Sequence, residues 1–143
     1  MTLRSRSVPT AHVALAVLAV AILIASVIPV PSATPQTDPT GTVDTTTLLH
    51  IAGYATLAAG GVIAVTRERW PWRRRQRRGD DSSVGIGSVA VVIALVALFG
   101  VATELLQATI PWRTFAVAEV GLNAASAVIG GLLATMWFYR PVE

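Results

Sequence analysis

Six residues carry groups that could do chemistry: Glu104 and Gln107 three apart, Glu119 and Asn123 four apart, Arg113 between the two pairs, and His50 far upstream. Spacings of three and four put each pair on one face of a helix. The Arg113 guanidinium offers five N–H donors in a fixed fork, to Glu104, to Glu119 or to an outside anion. His50 with the two carboxylates can do acid–base work or hold a divalent cation, although no spacing among them is diagnostic. One Arg cannot neutralise two carboxylates and a ligand as well. Either one carboxyl is protonated, or His50 helps as a cation, or a bound cation completes the site.

These groups must be positioned by elements of a membrane protein. The chain is 53% hydrophobic and only 13% charged, with a mean hydropathy of +0.62, far more apolar than a soluble domain. Apolar runs at Val13–Val30, Leu48–Val65, Val84–Ile110 and Phe115–Tyr139 each come near or above the roughly 18–20 residues that cross hydrocarbon. In lipid an open strand would leave its backbone groups unpaired, and the runs show no barrel-like alternation. The expected fold is therefore all-α and polytopic, with four transmembrane helices at about 12–30, 48–66, 84–110 and 115–139 in a single 1–143 membrane domain.

All eleven basic residues are Arg. Arg4 and Arg6 precede the first run, seven lie from Arg67 to Arg78, and Arg140 follows the last. The positive-inside rule places both termini and the Arg-rich loop 67–83 in the cytoplasm, and the Pro/Thr-rich loop 31–47 and the Pro111 turn outside. The first run competes with a secretory signal peptide; it is read as a retained helix because it exceeds a signal h-region and Pro31 suits a cleavage site poorly. In this orientation His50, Glu104 and Glu119 reach one outer level. Asn123, Ser126 and Gly130 continue down the fourth span as a small or polar seam for another helix. Gly100 and Thr103 form a similar seam on the third, and His50, Gly53, Tyr54, Leu57 and Gly61 share a face of the second. Tyr54 is read as an interface or packing residue, and His12 as an interfacial residue without a role.

Other chemistries are excluded or unsupported. With no cysteine the chain alone builds no disulfide, thiol nucleophile or iron–sulfur cluster. There is no GxSxG, HExxH, Walker loop or dinucleotide fingerprint, and His12 and His50 fall on opposite sides, so no two-histidine metal site forms. No cofactor, metal or catalytic residue is assigned. The run RERWPWRRRQRR is read as a topology signal with interfacial Trp70 and Trp72, not as a nucleic-acid binder.

The stretch GVATELLQATIPWRTFAVAEVGLNAASAVIGG, with LLHIAGY upstream, resembles the VanZ-like family of integral membrane proteins. The likeness lies in ExxQ, a Pro-x-Arg turn, an acidic residue six on, an Asn four further and following glycines. It implies His50, Glu104, Gln107, Arg113, Glu119 and Asn123 as the ligand-binding set. The chain departs from the pattern at Thr46-Thr47, where Asp-Lys is usual, at Glu119, where Asp is usual, and at Ser126, where a glycine is usual. The resemblance also implies a cell-envelope role linked to resistance to teicoplanin-type glycopeptides.

The expected function is an outer polar pocket, in a multi-pass protein of the cell membrane, that binds an anionic lipid or glycolipid head group. Alternatives are a membrane-embedded enzyme acting on such a lipid, or a helper subunit or transporter component whose seam meets a second copy or a partner membrane protein.

Overall fold

The computed structural model describes residues 10–29, 45–73, 84–113 and 115–138. Most of loop 31–47, residues 74–83 of the Arg-rich loop, Arg140, and the side chains of Trp70 and Trp72 lie outside what is described. Four helices account for nearly all of the rest: α1 Thr10–Val27, α2 Thr45–Arg73, α3 Val84–Gln107 and α4 Val117–Phe138. There is no strand among the described residues. All four helices are long and apolar enough to cross a bilayer, so this is a multi-pass helical membrane protein.

Prolines set the helix ends more tightly than the apolar runs suggest. α1 stops at Val27 because Pro29 has no N–H to continue the ladder and disfavours helical backbone at Ile28 before it. α3 stops at Gln107, three residues short of expectation, because Pro111 cannot return a bond to the Gln107 carbonyl. Ile110 N–H takes that carbonyl at 2.9 Å, and tight turns follow through Thr109 to Leu106 and Arg113 to Ile110. α4 begins at Val117, two residues later than expected, with the Ala116 carbonyl accepting from Glu119 and Val120. α2 starts three residues early and runs to Arg73, taking in the first part of the expected Arg-rich loop.

Consecutive helices are antiparallel: Gly53 and Gly60 of α2 face Ile22 and Leu15 of α1, and between α3 and α4 Gly100 faces Asn123 while Gly131 faces Ile93. α2 and α4 therefore run parallel, and they form the most extensive contact in the bundle. Gly130 makes it possible, since a Cβ there would collide with the Ala55 backbone carbonyl. These two least apolar spans are also the most buried, while α1 touches α2 and α3 but not α4. The expected seam of Asn123, Ser126 and Gly130 is thus used inside the bundle. The α2 face divides, with Gly53 toward α1 and Gly61 toward Val92 of α3.

The packing is inside-out relative to a soluble protein. Leu95, Leu98, Leu133, Met136 and Trp137 are exposed, as lipid-facing residues must be. The apolar centre is a small cluster of Tyr54, Leu57, Ala58, Val96 and Ala127. The largest fully buried side chains are Tyr54, Gln107, Glu104, Val62, Asn123, Thr103 and Ser26, of which only Val62 lacks a polar atom. Burial in this fold has gone to polar groups.

Candidate functional site

Those buried polar groups gather at the end where α1 and α3 finish and α2 and α4 begin. α2 contributes His50, 7% exposed, and Tyr54, 0%. α3 contributes Glu104 at 0%, from the last turn before the Pro111 hairpin. α4 contributes Asn123 at 0% and Glu119, which sits in the first helical turn, where a carboxylate opposes the positive end of the helix dipole. The Glu119 side chain is 42% exposed and forms the mouth.

The geometry joins three helices. His50 Nδ1 lies 3.9 Å from Glu119 Oε2. One donor atom each from His50, Glu104 and Glu119 falls within 4.8 Å of the other two, so the three could share one ion or one small polar group. The His50 and Tyr54 rings meet edge to face with centroids 6.1 Å apart, and Tyr54 continues to Phe99 at 6.0 Å. Gly100 closes the floor: a Cβ there would stand 3.1 Å from Asn123 Cβ and 3.3 Å from Tyr54 Cε1, so a bare Cα lets α3 approach both neighbours.

Several of these atoms have no hydrogen-bond partner. Both carboxylate oxygens of Glu104, both amide atoms of Asn123 and the Tyr54 hydroxyl are buried and unpaired among the described residues. Thr103 and Ser126 spend their single O–H on their own helices, to the Phe99 carbonyl at 2.9 Å and the Leu122 carbonyl at 2.7 Å, so neither donates to Glu104 or Asn123. Each buried group left unsatisfied costs roughly 1–3 kcal/mol, a cost a folded protein carries only where something offsets it.

Two residues of the expected ligand set are placed differently. Gln107 is buried, but its Nε2 donates to the Ser26 carbonyl of α1 at 2.9 Å, which makes it a tie between α3 and α1. Arg113 is half-buried on the hairpin, and its Nη2 donates to the Ile28 carbonyl at 3.5 Å. No salt bridge joins Arg113 to Glu104 or Glu119 among the described residues. The guanidinium lies at the rim, with most of its donors uncommitted to the carboxylates.

Tyr54, read as an interface or packing residue, packs in the apolar centre, and its spacing of four from His50 puts the two rings in contact on one face of α2. His12 is exposed near the start of α1, beside an apolar fissure of about 310 Å³ between α1, α2 and α3 that Leu15, Leu57, Gly61, Val92 and Phe99 also line. Compared with protein-family models, curated proteins and solved structures, the chain matches none.

Proposed function

We propose that this protein captures the head group of an envelope lipid or glycolipid at the polar end of its helix bundle. The observation that carries this reading is the pair of fully buried side chains, Glu104 and Asn123, whose polar atoms have no hydrogen-bond partner among the described residues. A carboxylate supplies only acceptors and an amide supplies both donors and acceptors, which is the pairing that sugar or glycerol hydroxyls require. Arg113, on the rim and in no salt bridge among the described residues, is suited to the anionic part of the same head group. Positive-inside placement turns this end outward, and the resemblance to VanZ-like proteins points to the same compartment and to glycopeptide resistance.

The test is mass spectrometry of the lipids retained by purified wild type, Arg113→Ala and Glu104→Gln, with circular dichroism as a folding control. One lipid class enriched on the wild type and lost from both folded variants supports a head-group site. Identical lipids on all three proteins overturn it.

A second reading, an enzyme acting on such a lipid, is favoured by one observation, the approach of His50 to Glu119. An imidazole this near a carboxylate is placed to act as a general base once the pair closes to hydrogen-bond distance. It requires product formation that ceases in His50→Ala while the helices still assemble.

A further inference from the structure

We infer that His50, Glu104 and Glu119 form a binding site for one first-row divalent transition cation, of which zinc is the type. Three helices, α2, α3 and α4, each deliver one donor, and the donor atoms already lie within 4.8 Å of one another. Tetrahedral coordination at about 2.0–2.1 Å needs ligand atoms about 3.3–3.4 Å apart. The His50–Glu119 separation of 3.9 Å must therefore shorten by only about half an ångström, and no donor pair by more than about 1.5 Å. Side-chain adjustment covers that range, above all at the partly exposed Glu119.

The second observation is Glu104 itself. It is fully buried, faces this cluster, and neither of its oxygens accepts a hydrogen bond among the described residues. The chain has no lysine, and Arg113 is turned to the Ile28 carbonyl. Among the described residues no Arg side chain lies within ion-pair distance of the carboxylate. A divalent ion between two carboxylates leaves the group neutral overall, which suits a site at the end of three membrane spans.

The donor set selects the metal. Calcium and magnesium take oxygen ligands throughout, whereas an imidazole nitrogen beside two carboxylates suits zinc, cobalt or manganese. Three protein ligands leave at least one coordination position for water or a ligand atom. The exposed flank of Glu119 is the side from which either would enter. The inference does not depend on the lipid reading, because metal binding is measured on protein stripped of lipid.

The experiment uses tag-free, full-length protein in detergent, treated with a chelator and then titrated with Co²⁺ and Zn²⁺. The expected result is one equivalent of Co²⁺ with visible d–d absorption, displaced by Zn²⁺, and one zinc per chain by elemental analysis. His50→Ala, Glu104→Gln and Glu119→Gln should each weaken binding roughly tenfold or more, as even the loss of groups behind the ligands does in metal sites. Ser26→Ala, whose hydroxyl bonds only its own helix, should bind as wild type. Absence of a cobalt band and of retained zinc overturns the site, as does binding that survives all three ligand substitutions. Glu104→Gln preserves shape, so helicity unchanged by circular dichroism separates loss of a ligand from loss of fold.

Discussion

His50 Nδ1 on α2 stands 3.9 Å from Glu119 Oε2 on α4, which links two helices that run parallel and are separated in sequence by the whole of α3. Because the Glu119 side chain is 42% exposed, solvent screens this pair, and its coupling in metal-free protein should be below about 1 kcal/mol. A double-mutant cycle of His50→Ala and Glu119→Gln, read by unfolding in detergent, measures it. A coupling of several kcal/mol would mean that the pair is a structural clamp and not the mouth of a site.

Glu104→Met should make the ligand-free, metal-free protein more stable, by roughly 1–3 kcal/mol, because it removes two buried oxygens without partners and nearly keeps the volume. Thermal unfolding of the two proteins after chelation and lipid removal decides the matter. A less stable Met variant would show that the carboxyl is satisfied within the protein.

Gln107→Leu should cost about 0.5–1.5 kcal/mol and loosen α1 from α3, whereas Ser26→Ala should change little. The reason lies in which atom of Ser26 is used. Gln107 bonds its backbone carbonyl, while its hydroxyl donates back to Ile22 at 2.8 Å. Equal destabilisation of the two variants in detergent unfolding would contradict this division of roles.

Gly130→Leu should prevent α2 and α4 from closing, since even a Cβ at this position meets the Ala55 backbone. Gly121→Ala, on the same helix but facing open space, should be neutral or stabilise by up to about 1 kcal/mol, because alanine is the better helix former. Cross-linking between cysteines on α2 and α4, scored in both variants, reads the packing directly.

Much of this architecture was legible in the sequence, for identifiable reasons. Apolar length alone gives four spans, and spacings of three and four bring Glu104, Glu119, Asn123 and His50 to one level. What the spacing does not contain is which neighbour each face meets. Nothing in Gln107 announces that its amide reaches back to α1, since a helix interface is chosen by the sum of many contacts. The same blindness divided the glycines of α2 between α1 and α3. His50, Glu104 and Glu119 could be named together as able to hold a divalent cation, but their spacing carries no metal motif, because they lie in three different helices. The helix ends were misjudged where hydrophobicity continues past the geometry, as at Ala108–Ile110 before Pro111.

The parallel pairing of α2 with α4 has a consequence for how the protein is made. A translocon releases spans in chain order, so α2 reaches the bilayer with its principal neighbour still unsynthesised. Glu119 follows His50 by roughly 70 residues, which at about 5–20 residues per second is on the order of 3–14 s of translation. During that interval α2 can gather α1 and α3, but Glu104 arrives before the helix that completes its surroundings. Only when α4 inserts is the half-built assembly finished, and until then the carboxyl of Glu104 lacks the helix that buries it.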